Sequence, residues 1–78
     1  MFIRVLAIDK EIFSGESDSV SLPSPEGQIT VLENHLPIIS LLGKGRVIIR
    51  KGNKIEKEID IKKGFAEVNP EKTTVLVE

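Results

Sequence analysis

The apolar residues of this chain come in runs of about four to eight that are separated by Gly, Pro and Ser, and the runs are rich in Ile and Val. Such residues fit the pleated, half-buried surface of a strand. The runs recur roughly every eight to twelve residues, which indicates a sandwich or a barrel. A chain of 78 residues has room for one small domain. We therefore predict a single all-β domain over residues 1–78.

The best-defined local feature is a hairpin in which Gly52 and Asn53 form a two-residue turn. Gly at this place supplies the positive φ that tight hairpin turns need. In the strand that follows, Ile alternates with Glu and Asp except at Lys57, which predicts one buried face. A further turn is predicted at Ser14-Gly15. The predicted strands are residues 2–8, 19–22, 28–32, 37–42, 45–51, 54–61, 65–68 and 73–77.

Composition excludes several classes of function. The 11 Lys and Arg residues nearly balance the 12 Asp and Glu residues, so the formal net charge of −1 does not indicate nucleic-acid binding. There is no Cys and only one His, which excludes thiolate metal sites, cysteine nucleophiles and two-His metal motifs within this sequence. The longest apolar run, Val5 to Ile8, is far shorter than the roughly 20 residues that span a membrane. The net charge is −4 over residues 1–43, +5 over 44–63 and −2 over 64–78, which predicts an acidic and a basic face.

No pattern of residues indicates catalysis. Gly43-Lys44-Gly45 lacks the Gly spacing and the following Ser or Thr of a phosphate loop, so we predict a turn there. Six Ser residues share one possible base, His35, and no G-x-S-x-G motif is present. His35 is either a turn residue that bonds its own loop or an interface residue. We predict a protein that is not an enzyme and has no cofactor.

The segment after His35 holds more apolar residues than one face of a strand can bury. Its apolar side chains are Leu36, Ile38, Ile39, Leu41 and Leu42. In a core this small, the excess favours a surface that binds a partner. The residues alone therefore predict a small all-β interaction module.

Three segments carry motifs in a recognisable order. They are FSGESDSVSLP at residues 13–23, PEGQITVLENHLPIISLL at residues 25–42 and GFAEVNPEKTTVLVE at residues 64–78. A Phe-Ser-Gly start, a Gly-bearing acidic loop, a His-x-Pro turn and a closing Gly-Phe-x-Glu-Val hairpin follow one another in them. In this the chain resembles, over essentially its whole length, the amino-terminal β-sandwich domain of the epsilon subunit of rotary ATP synthase. The resemblance implies a flattened β-sandwich of about ten short, mostly antiparallel strands.

The resemblance also implies a role and a location. We expect a rotor subunit in the central stalk of F-type ATP synthase, which links the gamma subunit to the c-ring and supports proton- or sodium-coupled ATP synthesis. The subunit would lie at the cytoplasmic face of the bacterial inner membrane, associated with the membrane only through the complex. Nucleic acid is not expected as a partner.

The resemblance assigns two sets of interface residues by position. The residues expected to face the c-ring are Glu26, Gly27, Gln28, Glu33 and Asn34. The residues expected to face the gamma subunit are His35, Leu36, Pro37, Ile38, Ile39 and Leu42. Many family members carry an acid where this chain has Gln28, which argues against a charge-based contact with the ring at that position.

The sequence differs from many members of the family at its carboxy-terminal end, and an alternative function also stays open. It stops at Glu78, where many relatives continue into a carboxy-terminal helical hairpin that regulates hydrolysis and in some binds ATP. The subunit is either naturally short or truncated, and without the hairpin we expect neither hairpin-mediated inhibition nor ATP binding. The alternative function is a free-standing adapter or a carrier-type binding module. A carrier needs a modified Lys flanked by apolar residues at a hairpin tip, and Lys54 has polar neighbours.

Overall fold

The computed structural model describes residues 1–33 and 37–78, which form nine strands in two packed sheets. The strands are β1 Phe2–Ala7, β2 Lys10–Glu16, β3 Ser19–Ser24, β4 Gly27–Leu32, β5 Ile38–Leu42, β6 Gly45–Lys51, β7 Lys54–Ile61, β8 Gly64–Val68 and β9 Lys72–Val77. One sheet has the order β2-β1-β9-β8-β5 and the other has the order β4-β3-β6-β7. Neighbouring strands are antiparallel except β1 and β9. The all-β sandwich is confirmed, with nine strands in the described residues where the resemblance implied about ten.

The core lies between the sheets and is built from alternate residues of their strands. Ile3, Val5 and Val75 are fully buried on the inner side of the five-stranded sheet. Val47 and Ile49 of β6 are fully buried on the inner side of the other. Burial of one such side chain contributes about 1.5–3 kcal/mol, so a single core stabilises both sheets.

The sequence prediction is wrong about the segment between β1 and β3. Ser14 and Gly15 are predicted as a turn, but both lie within β2, where Gly15 pairs with Ile3 of β1. The chain reverses earlier, at Ile8 and Asp9. Because β2 is an edge strand with few buried side chains, no apolar run marks it in the sequence.

The predicted hairpin between β6 and β7 is confirmed, and Gly52 adopts a φ of 61° in its two-residue turn. The predicted buried face of β7 is present only in its second half. A register shift leaves Glu56 as an extra residue opposite β6, which is a β-bulge. The bulge reverses the alternation, so Ile55 is half exposed on the outer side whereas Ile61 is buried.

Candidate functional site

The outer face of the five-stranded sheet carries a row of apolar side chains. The strand register places Phe65 of β8 between Leu41 of β5 and Leu76 of β9. Leu6 of β1 lies next to Leu76 in the same row. Because neighbouring strands are about 4.8 Å apart, the four residues extend over about 14 Å. Leu41 is 67% exposed and Leu76 is 47% exposed, although both are large and apolar.

Two more residues enlarge this exposed surface. Ile39 lies two positions before Leu41 on β5. It has the same orientation and is 66% exposed. Ile8 lies at the tip of the turn between β1 and β2 and is 99% exposed. Soluble monomers rarely expose contiguous apolar patches of this kind unless the patch binds something. We name the large apolar side chains on the outer side of this sheet the apolar face: Leu6, Ile39, Leu41, Phe65 and Leu76.

A groove of about 790 Å³ connects the apolar face with the turn between β3 and β4. Leu41, Phe65 and Leu76 line it on the side of the sheet, and Ile8 and Pro25 line it on the side of the turns. The face and the turn therefore form one continuous corner of the sandwich.

A glycine and a polar row set the limits of the apolar face. A Cβ atom at Gly64 would overlap the backbone carbonyl oxygen of Leu76, so the start of β8 fits closely against β9 only without a side chain.

The row of side chains beside the apolar one is polar and places Thr74 between Glu67 and Arg4. Apolar and polar rows thus meet at a defined boundary on the same sheet.

The residues predicted to face the c-ring fall into separate groups. Glu26, Gly27 and Gln28 are exposed in and beside the turn between β3 and β4. Gly27 has a φ of 131°, which strains any other residue. Glu33 follows β4 at its opposite end, about 20 Å away along the strand. Asn34 lies outside the described residues.

The turn between β3 and β4 is held by hydrogen bonds of its own. The Ser24 hydroxyl donates to the carbonyl oxygen of Gly27 at 2.6 Å. The backbone N–H of Glu26 donates to the Ser24 hydroxyl oxygen at 3.3 Å. One Ser side chain thus fixes the turn, a common use of this residue. The side chains of Glu26 and Gln28 stay exposed to solvent.

The residues predicted to face the gamma subunit also divide. Pro37 is exposed, and Ile39 belongs to the apolar face. Ile38 is half-buried against the core, and Leu42 is buried within it. Alternation along β5 points the Leu42 side chain inward, and its contact with the gamma subunit stays a prediction. His35 and Leu36 lie outside the described residues.

Three residues of the apolar face were missed by sequence reasoning as a site. Phe65, Leu76 and Leu6 come from three different strands, and only the register of the sheet puts them beside β5. Each one alone is an ordinary apolar residue in a strand. The usable signal was the alternation within β9, where Thr73, Val75 and Val77 are buried and Leu76 has the opposite parity.

The outer face of the four-stranded sheet carries paired charged and polar side chains, with the exposed Leu32 and Ile55 toward its edges. Arg46 donates to Asp60 at 3.0 Å and to Glu58 at 3.3 Å. The hydrogen bond to Asp60 and the two negative charges raise the pKa of Arg46. Arg50 donates to the buried Ser21 hydroxyl at 2.9 Å. Part of the basic segment predicted from sequence is therefore neutralised within this sheet.

The amino group of Met1 forms a second ionic cluster, at the end of the sandwich opposite the turn between β3 and β4. It lies 3.1 Å from the Glu16 carboxylate and 3.2 Å from the Glu33 carboxylate, and it donates to the carbonyl oxygen of Ser17. The hydrogen bond to Glu16, with a further contribution from Glu33, raises the pKa of this amino group despite the opposing effect of burial. The cluster ties Glu33 to the start of β1.

Within residues 1–33 and 37–78, no group of three or more His, Cys, Asp and Glu side chains is placed to hold a metal ion. None of the segments described in the structure is a helix long and apolar enough to cross a membrane.

Residues 1–78 match the family described as the β-sandwich domain of the ATP synthase delta/epsilon chain. The chain belongs to this family. The ATP synthase epsilon chain of Caulobacter vibrioides is 43% identical over 78 residues, which are 100% of this chain and 90% of that relative. The epsilon chain of Leptospira borgpetersenii is 37% identical over 76 residues, which are 97% of this chain and 59% of that relative. This delta/epsilon-type domain thus spans most of one relative and little more than half of the other.

Solved structures share the fold. A chain in the Euglena gracilis mitochondrial ATP synthase, solved as OSCP, F1 and c-ring, has a TM-score of 0.87 at 23% identity over 96% of this chain and 48% of that chain. A chain in the central stalk and c-ring of the Tetrahymena thermophila mitochondrial enzyme has a TM-score of 0.81 at 12% identity over 97% of this chain and 61% of that chain. At these identities the likeness concerns the fold.

Proposed function

We propose that this domain is a non-catalytic rotor subunit of an F-type ATP synthase that joins the gamma subunit to the c-ring and supports proton- or sodium-coupled ATP synthesis. Membership of the delta/epsilon family supports the complex. The apolar face supports a lasting protein partner, and this observation carries the proposal. Such a subunit lies at the cytoplasmic face of the bacterial inner membrane and is held there by the complex.

The apolar face is the proposed site for the gamma subunit. Ile39 is the residue that this face shares with the set expected from sequence. Leu41, Phe65 and Leu76 join it, because they are large, outward and contiguous with it. Large apolar side chains in the centre of an interface carry most of the binding energy. Pro37 lies just before β5 and is exposed, and it stays part of the proposed site.

The turn between β3 and β4 is the proposed site for the c-ring. Its exposed Glu26 and Gln28 offer polar contacts to the polar loops of a ring. Pro25 of the same turn lines the groove that reaches the apolar face, so two partners can contact adjoining parts of one corner. We leave Glu33 out of this proposed site, since it lies at the other end of β4 beside the Met1 amino group.

The gamma contact is tested by coexpression with the gamma subunit from the same genome and by size-exclusion chromatography. We expect a one-to-one complex for the unchanged chain. Leu41→Asp and Phe65→Asp should each weaken binding by tenfold or more, which corresponds to about 1.4 kcal/mol. Thr30→Asp is the matched control, because Thr30 is exposed on the outer side of the other sheet. Equal binding by all four chains would contradict the proposed site.

The ring contact is tested in the assembled complex. Glu26→Lys together with Gln28→Lys should lower the amount of c-ring retained on the purified complex. Glu33→Gln, at the other end of the same strand, should leave it unchanged. A chain that binds neither gamma nor the ring would instead support the adapter function, with the family likeness limited to the fold.

A further inference from the structure

We propose that the free edge of β5 pairs with β5 of a second copy of this chain, so that the two five-stranded sheets join into one of ten strands. Within the part of the chain that the structure describes, β8 is the only strand hydrogen-bonded to β5. The sequence of β5, IISLL, has no charged residue, and its pairing with β8 has no register shift. Edge strands that have neither charged residues nor a register shift are prone to pair with another strand.

The edges β2 and β7 are protected in ways that β5 is not. β2 contains Lys10, Glu11 and Glu16 and has a register shift opposite β1. β7 carries charges along its length and has the bulge at Glu56. β4 is uncharged as well, but its outward side chains include Gln28 and Thr30, which are exposed and polar. Among the edge strands of residues 1–33 and 37–78, β5 alone combines an uncharged, regular edge with outward residues that are all apolar.

Backbone alternation in β5 shows which groups its free edge offers. The N–H of Gly43, just beyond the strand, donates to the carbonyl oxygen of Pro23 and thus points away from β8. By alternation, Leu41 and Ile39 also direct their N–H and C=O groups away from β8. The Leu41 carbonyl oxygen accepts a hydrogen bond from the Ser40 hydroxyl at 3.0 Å, as a carbonyl not engaged by β8 can.

In one antiparallel register, the outward-pointing backbone N–H and C=O groups of Ile39 and Leu41 form hydrogen bonds in both copies. A two-fold axis through Ser40 places Ile39 of each copy opposite Leu41 of the other. These two residues then exchange both backbone hydrogen bonds, which gives four intermolecular bonds in total. Pairing ends before Gly43, whose N–H already donates to Pro23, so the chain of the second copy leaves the sheet at Pro37.

The same register also suits the side chains. Ile39 and Leu41 lie on the outer side of the sheet, so each two-fold-related pair brings two exposed apolar side chains into contact. Glu67, beside Ile39 on β8, falls in one row with Leu41 and Phe65 of the second copy and meets no like charge. Because the shared strand is only five residues long, the contact is small and the dimer weak, with a dissociation constant of about 10 μM to 1 mM.

The pairing has a consequence that rests on the proposed function. It partly buries Ile39 and Leu41, which the proposed gamma site also uses. The second copy and the gamma subunit therefore compete, and a subunit not yet assembled shields part of its apolar face by self-association.

Sedimentation equilibrium on the isolated chain tests the pairing without the gamma subunit, so its failure is distinct from failure of the proposed function. Between about 10 μM and about 1 mM the mass should rise from 8.6 kDa toward twice that value. Leu41→Lys should keep the mass at the monomer value over the same range. Leu76→Lys, on the same face but in the central strand β9, should leave the association unchanged within twofold. A monomer at every concentration, or association lost in Leu76→Lys but kept in Leu41→Lys, overturns the proposal.

Amide hydrogen exchange gives a second measurement, independent of any substitution. The amides of Ile39 and Leu41 should exchange about two- to sevenfold more slowly at about 1 mM than at about 10 μM, as the monomer fraction falls. The Ser40 amide, which points to β8, should show no such dependence on concentration. Uniform slowing along β5, or none, would contradict edge pairing in this register.

Discussion

The two outer faces of the sandwich differ in chemistry although both cover the same core. On the four-stranded sheet, Arg46 bonds two carboxylates and Arg50 bonds a buried hydroxyl. On the five-stranded sheet, the apolar face exposes large side chains across four strands. The polar groups on the four-stranded sheet form hydrogen bonds with one another and with water. The apolar side chains on the five-stranded sheet cannot, so their burial lowers the free energy only when a partner covers them. The comparison indicates which half of the molecule binds a partner.

The largest expected effect separates the apolar face from the core beneath it. Val75 and Leu76 are neighbours on β9, but Val75 is fully buried and Leu76 is exposed. Val75→Lys puts an unpaired charge into the core and should lower the free energy of unfolding by more than about 4 kcal/mol. Leu76→Lys should change it by less than about 1 kcal/mol, since the ammonium group reaches water. Urea unfolding followed by circular dichroism measures both.

Failure of this contrast would change the meaning of the apolar face. If Leu76→Lys unfolded as readily as Val75→Lys, the face would act as part of the core of the isolated domain. Its exposure would then say nothing about a partner.

Much of the fold could be predicted from the sequence, because alternating apolar and polar residues mark the strands of the core. Residues 45–51 form β6 as predicted, and Gly52 makes the predicted hairpin turn. The strand β2 could not be found in the same way, because an edge strand buries too little to need an apolar run. The bulge at Glu56 was equally hidden, since one extra residue in a strand leaves no mark on composition.

The candidate site was harder to predict than the fold. The apolar residues of the segment 36–42 indicated a surplus of apolar side chains, but not which of them face outward. Pairing with β8 decides this, and it exposes Ile39 and Leu41 while Leu42 enters the core. Phe65 and Leu76 join the site through strand order alone, which sequence patterns do not encode. The surface therefore became visible only with the register of the sheet.

The second prediction concerns how the apolar face is built. A methyl group at Gly64 would overlap the Leu76 carbonyl oxygen, so β8 and β9 would have to move apart. Gly64→Ala should therefore lower the free energy of unfolding by about 1–3 kcal/mol. Gly43→Ala is the control, because a Cβ there meets open space and restricts the unfolded chain, which should leave stability unchanged or raise it by up to about 1 kcal/mol. Equal stability of the two variants in urea would show that β8 can shift freely.

The third prediction concerns the hydrogen bonds on the outer face of the four-stranded sheet and their contribution to stability. Ser21 accepts from Arg50 and shares a hydrogen bond with Thr30 at 3.3 Å. Ser21→Ala removes both contacts and should cost about 0.5–1.5 kcal/mol, since Arg50 and Thr30 can still reach water. Ser14→Ala, on the exposed side of β2, should stay within about 0.5 kcal/mol of the unchanged chain. A neutral Ser21→Ala would mean that the polar face is merely solvated and is not held by its own hydrogen bonds.

The smallest expected effect is on the dependence of stability on pH, and it concerns the end of the sandwich that belongs to neither face. Hydrogen bonding to Glu16, and then to Glu33, raises the pKa of the Met1 amino group above its ordinary value of 8.0. The stability that this cluster adds is therefore complete below pH 8 and is lost as the pH rises through the higher value of the folded state. For the chain with a free Met1 amino group, the urea midpoint should fall slightly between about pH 7 and about pH 9.5. The chain carrying Glu16→Gln and Glu33→Gln should show a flatter pH profile. Its Met1 amino group has no carboxylate partner there, so deprotonation removes no ionic interaction. Parallel profiles would mean that the Met1 ammonium group contributes nothing to stability through Glu16 and Glu33.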